Sequence, residues 1–144
     1  MSQELSAAAQ SKGEDVPKIS IDSPRFLISR MSAIGDTVLT LPVVCALRAQ
    51  FPDAFIGWVV EEKSSAMVVG HPCVDQVFTL PRRWFLSLKK CRELRKELQS
   101  QRFTVSIDCQ GNTKSSLACW LSGAKYRVGC RGQYGTELSP YLNN

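Results

Sequence analysis

The feature that most limits how this chain can fold is an alternation. Short apolar runs of strand length recur between segments of helical period, starting with RFLISR (25–30) and continuing with AFIGWVV (54–60), VDQVFTL (74–80), TVSIDC (104–109) and YRVG (126–129). Between them, VVCALRAQ carries a helical stretch on from Pro42 to the turn at Phe51, Pro52 and Asp53. SSAMVVG makes a short helix closed by Gly70, and residues 113–121 form another. Trp84, Leu88, Cys91, Leu94 and Leu98 recur at steps of four, three, three and four, the period of an amphipathic helix. Pro42 sits awkwardly inside a helix, so residues 37–41 are expected to form a separate turn or a kinked start. Strands that alternate with helices must pair in parallel, which predicts an α/β layered sheet. Ligands of such sheets collect at the carboxyl ends of the strands.

A chain of 144 residues suits one domain with a real core and leaves little room for two. Residues 1–23 lack sustained periodicity and read as a disordered tail, leaving 24–144 as the folded unit. No apolar run approaches the roughly 18–20 residues that span a bilayer. The opening residues have neither the basic start nor the apolar segment of a secretory signal, so a cytoplasmic place is expected. The six cysteines (Cys45, Cys73, Cys91, Cys109, Cys119 and Cys130) form no C-x-x-C pair and no Cys/His cluster in sequence. Metal and disulfide readings therefore lack their usual spacing, and reduced thiols filling core space are expected instead. His71, before Pro72 in a loop, reads as structural. Net charge is +5, but residues 81–102 alone carry eight Lys/Arg against Glu93 and Glu97, a local +6 that leaves the remainder near −1. That basic stripe suggests an acidic partner surface.

Two strand ends are chemically loaded. After the first strand come Ser32, Gly35 and Asp36; after the fourth come Asp108, Gln110, Gly111, Lys114 and Ser115. Glycine at such a turn lets backbone approach a ligand, and the helix N-terminus that follows offers N–H groups to anions. Neither stretch has G-x-G-x-x-G or G-x-x-x-x-G-K-[ST] spacing, so dinucleotide and Walker-type readings fail. Asp36 alone would also serve as a helix cap, and Asp108 could fix a loop through hydrogen bonds.

The stretches ISRMSAIGDTVLTLPVVCALRAQFPDAFIGWVVEE, GHPCVDQVFTLPRRW and SIDCQGNTKSS, in this order and spacing, resemble bacterial lipopolysaccharide heptosyltransferases of the ADP-heptose glycosyltransferase family, heptosyltransferase I most of all. The resemblance runs from about Arg25 onward. It implies a Rossmann-like parallel sheet flanked by helices, equivalent to the N-terminal, acceptor-side domain of a GT-B glycosyltransferase. That domain would be incomplete at 24–144, and the C-terminal donor-binding domain would be absent. It implies inverting, metal-independent heptose transfer from ADP-heptose to Kdo-lipid A, with no cofactor and with the donor bound mainly by the absent domain. The isolated chain would then be inactive. In the S-x-x-G-D turn, Asp36 would be the general base; Ser32, Gly35, Arg82, Arg83, Gln110, Gly111 and Lys114 would bind substrate. The arginines would meet the carboxylate and phosphates of the acceptor. The basic helix after Trp84, with Lys89, Lys90, Arg92 and Arg95, could touch anionic lipid at the cytoplasmic face of the inner membrane. The family's R-E-P-like segment is replaced here by YGTELSPYLNN, and Arg131 is not in register with the missing arginine.

The competing expectation is a non-catalytic, flavodoxin-like α/β module that uses its basic stripe on nucleic acid or a protein partner. Aromatic residues do not interleave with that stripe, and nucleic acid is not expected as a partner of the transferase.

Overall fold

A computed structural model describes residues 23–129 and Leu142. Of the expected tail over 1–23 all but Ser23, together with Cys130, Arg131 and all but Leu142 of the closing YGTELSPYLNN, lies outside the described residues. Five strands, β1 (Arg25–Ser29), β2 (Phe55–Glu61), β3 (Gln76–Leu80), β4 (Val105–Asp108) and β5 (Tyr126–Val128), form one sheet in the order β3-β2-β1-β4-β5. Every neighbouring pair is parallel. This is the order of a Rossmann half-sheet, not the 2-1-3-4-5 order of flavodoxin, so the flavodoxin-like alternative is corrected at the level of topology.

The central strands β1, β2 and β4 are mostly buried because both faces of the sheet are covered there, whereas edge strand β5 (Tyr126–Val128) is only partly buried. Leu27 and Val59 point to one layer with Trp84, Leu94, Leu98, Ala118 and Leu121, and Phe26, Ile28, Ile56, Trp58 and Val60 point to the other with Val44 and Val68. Alternate residues of one strand thus feed two cores, as a period of two requires. Full burial of each such side chain is worth roughly 1.5–3 kcal/mol. Gly57 of β2 makes room for Phe103: a Cβ there would lie 2.7 Å from the Phe103 Cζ.

The helices depart from expectation in three places. Helix α1 runs without interruption over Ile34–Gln50 with Pro42 inside it, where a break was expected. Pro42 lies on the exposed face, and Val38, four residues earlier, is itself 43% exposed, so the carbonyl that loses its helical donor faces water. The inner face of α1 instead carries Thr37, Thr40 and Val44. The two threonine hydroxyls are satisfied within the helix, donating to the carbonyls of Ala33 and Asp36 at 2.9 Å each. Helix α2 is a single turn, Glu62–Ser65, and the chain continues to Gly70 in turns rather than as the expected helix over 64–70. The helix expected from Trp84 divides into a 3-10 turn, Trp84–Leu86, and helix α3, Leu88–Ser100. Ser87 separates them because its hydroxyl accepts the Lys90 N–H at 3.3 Å, capping α3. Helix α4 (Thr113–Leu121) starts with a capping box in which Asn112 and Ser115 satisfy each other's backbone N–H groups. Among the described residues no helix is long and apolar enough to cross a membrane.

Candidate active site

The strand order reverses between β1 and β4, and the loops that follow β1 to β4 converge at that end of the sheet. They enclose a cleft of about 530 Å³ lined by residues 32–35, by Glu61, Lys63 and Ser64 after β2, by Arg82 after β3 and by Lys114 of α4. Of the residues expected from sequence to bind substrate, Ser32, Gly35, Arg82 and Lys114 line it. An added Cβ on Gly35 would meet nothing within 4 Å, so the backbone there borders open space that a ligand can enter.

Asp36 follows Gly35 in the first turn of α1; it lies outside the lining itself, one residue beyond the lining residue Gly35. It is not the helix cap: that position belongs to Ala33. Its side chain is 53% exposed, and its carboxylate pairs with the Arg30 guanidinium at 2.7 Å. Arg30 is fixed in turn by a 2.6 Å hydrogen bond to the Cys109 carbonyl, so the last residue before the first loop ties both loaded strand ends together. The acid is oriented from one side and open to solvent on another.

Gln110, Gly111 and Arg83 lie outside the lining. The Gln110 Oε1 accepts from the Met31 N–H at 2.8 Å and the Ser32 N–H at 3.4 Å, which holds the β1–α1 loop in place. Gly111 is buried with a φ of 74°, and its N–H donates to Asp108 Oδ1 at 2.8 Å. Asp108 also accepts from the Gln110 N–H at 3.0 Å and from the Ser116 hydroxyl, so this acid builds the turn. Arg83 is exposed at the start of the 3-10 turn.

Sequence reasoning missed Glu61 and Arg30. Glu61 ends β2 with a side chain only 7% exposed, and the Lys114 ammonium meets it at 2.5 Å. The signal was present in sequence: a carboxylate closing a run of buried strand residues needs a partner. With Lys63, Arg82 and Lys114 set against Glu61, the cleft is net positive and suits an anionic ligand.

The thiols divide into two groups. Cys119 is buried, and burial pushes its thiol far above its ordinary value of 9.0, with the Asp108 charge adding to the effect. Cys45 and Cys73 are half-buried with sulfurs 3.5 Å apart, and the hydrogen bond between them raises the Cys45 thiol. His71 joins them: its Nδ1 accepts the Cys73 N–H at 3.2 Å, and one donor atom from each of the three residues lies within 4.8 Å of the others. The expectation of no Cys/His cluster is therefore corrected. The fold brings together residues that sequence spacing keeps apart.

No family model matches the chain. Among curated proteins it is similar to lipopolysaccharide heptosyltransferase 1 of Escherichia coli K12, 31% identical over 99 residues, which cover 64% of this chain and 31% of that protein. The same enzyme of Pseudomonas aeruginosa is 30% identical over 105 residues, covering 68% of this chain and 29% of that protein. The chain thus spans about three-tenths of the length of these relatives. Among solved structures, E. coli heptosyltransferase WaaC with ADP-2-deoxy-2-fluoro heptose superposes with a TM-score of 0.71 at 30% identity, over 83% of this chain and 41% of that one. A glycosyl transferase family 9 protein from Veillonella parvula shares the fold with a TM-score of 0.69 at 22% identity, over 74% of this chain and 32% of that one. In sequence and in its Rossmann-like sheet, the chain belongs with the lipopolysaccharide heptosyltransferases, of whose length it represents about three-tenths.

Proposed function

We propose that these residues are the acceptor-side, N-terminal part of an inverting heptosyltransferase, with Asp36 as the general base that takes a proton from the acceptor hydroxyl. The observation that supports this reading is the placement of Asp36: an exposed carboxylate, oriented by Arg30 at 2.7 Å, next in sequence to Gly35, which lines a positively charged cleft at the carboxyl end of a parallel sheet. A carboxylate positioned at the acceptor hydroxyl can take its proton as that oxygen attacks. As the proton leaves, the acceptor oxygen attacks the anomeric carbon of the donor sugar and ADP departs from the opposite face. The stereochemistry inverts, and no metal or other cofactor takes part.

The acceptor we assign is Kdo-lipid A, whose carboxylate and phosphates match the cationic lining of Arg82, Lys63 and Lys114. The donor is ADP-heptose, held mainly by a partner lobe beyond these 144 residues. A peripheral position at the cytoplasmic face of the inner membrane follows from the same reading. Leu86 and Leu88 are 69% and 77% exposed and adjoin the exposed cations Arg82, Arg83, Lys89 and Lys90, a pairing suited to anionic headgroups.

The test separates binding from chemistry. The 144-residue chain should bind Kdo-lipid A without turning over ADP-heptose, and Arg82→Ala should weaken that binding while Asp36→Asn leaves it intact. In the longer polypeptide that adds the donor lobe, Asp36→Asn should lower the rate of heptose transfer by about 10²–10⁴-fold, the usual contribution of a positioned base. Transfer at the full rate by that variant would remove the base from Asp36, and absence of acceptor binding would remove the acceptor role of this cleft.

A further inference from the structure

The Cys45, His71 and Cys73 cluster lies away from the cleft. Cys45 is eleven residues beyond the start of α1, about 16 Å along the helix from the cleft at 1.5 Å per residue. His71 and Cys73 belong to the loop that precedes β3, at the opposite rim of the parallel sheet. That loop is held by its own bonds: Val74 N–H donates to the His71 carbonyl at 3.0 Å, and Asp75 N–H to the Ile56 carbonyl at 2.8 Å. Arg48, one turn after Cys45 on α1, pairs with the Asp75 carboxylate at 2.6 Å and donates to the carbonyls of Ala54 at 2.6 Å and Cys73 at 3.4 Å. The helix and the loop are therefore fixed against each other next to the three side chains.

We propose that Cys45, His71 and Cys73 form a site for a thiophilic d10 cation, Zn²⁺ or Cu⁺, that staples α1 to the loop before β3. Two thiolates on a tetrahedral zinc lie about 3.8 Å apart, given Zn–S bonds near 2.3 Å. The observed sulfurs are 3.5 Å apart, and the donor atoms of all three residues fall within 4.8 Å, so side-chain adjustments of about 1 Å close the site around an ion. The ligand types agree with the ion: two soft sulfurs and one imidazole select Zn²⁺ or Cu⁺ over hard cations. Charge also balances, because two thiolates neutralise Zn²⁺ while Asp75 already neutralises the nearby Arg48. His71 Nδ1 accepts the Cys73 N–H at 3.2 Å, and an ion on that nitrogen would displace this hydrogen bond. Cu⁺ would be saturated by these three ligands; Zn²⁺ would keep a fourth position for water. Binding releases the two thiol protons to solvent and involves no redox step.

The test is titration of the purified, reduced chain with Co²⁺ and Zn²⁺ and, anaerobically, with Cu⁺. One equivalent should bind, Co²⁺ showing sulfur-to-metal charge transfer and tetrahedral d–d absorption, and saturating Zn²⁺ should raise the thermal midpoint in a way that a chelator reverses. Cys45→Ser, Cys73→Ser and His71→Ala should each weaken binding at least about tenfold, the smallest loss seen even for outer-shell partners. Cys91→Ser, a half-buried thiol elsewhere, should change nothing, and circular dichroism would show that each variant remains folded. Failure of all three ions to bind stoichiometrically would overturn the site, as would binding undiminished in the Cys45→Ser and Cys73→Ser chains. Neither result bears on Asp36 or the cleft.

Discussion

Lys114→Met is the sharpest probe of the cleft, because it strands a carboxylate that the fold has nearly taken out of water. The Glu61 side chain is 7% exposed and Lys114 is 23% exposed, with the ammonium 2.5 Å from the carboxylate. Removing one partner of a fully buried pair costs about 3–5 kcal/mol, since the remaining charge stays desolvated and unpaired. This pair borders an open cleft, so water can follow the shortened side chain to the Glu61 oxygen, and the expected cost falls to roughly 1–3 kcal/mol. For a domain of this size that corresponds to a thermal midpoint lower by about 4–12 °C. Glu61→Gln leaves a neutral amide and a lysine free to turn outward, at a cost of about 1 kcal/mol. The double variant Glu61→Gln/Lys114→Met should then be more stable than Lys114→Met alone, because it no longer buries a lone charge. Urea unfolding of the four proteins gives the coupling directly. A Lys114→Met chain within about 0.5 kcal/mol of the parent, or a double variant as unstable as the sum of the singles, would refute the pairing. The same set divides the roles of Lys114: acceptor binding that returns in the double variant was lost through Glu61, and binding that stays lost needed the ammonium itself.

Gly57→Ala should destabilise the domain by about 1–3 kcal/mol in urea, because its Cβ would stand 2.7 Å from Phe103 and 3.0 Å from Phe78. The pH dependence of stability should carry a Cys119 component. Its thiol is raised in the folded chain, so its stabilising contribution is complete below about pH 9 and is lost above it as the unfolded chain ionises, with a limiting slope near 1.4 kcal/mol per pH unit. Urea midpoints measured from pH 8 to 10 on the parent and on Cys119→Ala should differ in that slope; equal slopes would sink the argument. Cys119 should also resist thiol reagents in the native state while the half-buried Cys91 and Cys109 react.

What could be read from sequence follows the range of the interactions that decide each feature. The central strands were legible because a doubly covered parallel strand must be largely apolar, a local property of RFLISR or AFIGWVV, while the edge strands VDQVFTL and YRVG were legible from shorter apolar runs. Pro42 misled because the rule against proline in a helix counts a lost hydrogen bond, yet on the solvent face water makes good that loss, and the face of α1 is set only by tertiary packing. Trp84 was assigned to the helix with Leu94 and Leu98, and its side chain does reach the same core, but Ser87 caps a new helix between them. At the site, Gly35 and Asp36 were legible together at the end of the first strand, though they open helix α1 rather than form a separate turn. Glu61 with Lys114 was not, because the pair spans 53 residues and depends on the strand order that puts β2 and β4 on either side of β1. The same reasoning explains why spacing rules rejected a Cys/His cluster that the fold assembles: Cys45 and Cys73 stand 28 residues apart, on a helix and on the loop that packs beside it. Local patterns therefore report the scaffold and the strand end where Asp36 opens helix α1. Pairings across the sheet decide which of those polar side chains face a ligand and which, like Gln110 and Asp108, hold the loops that do.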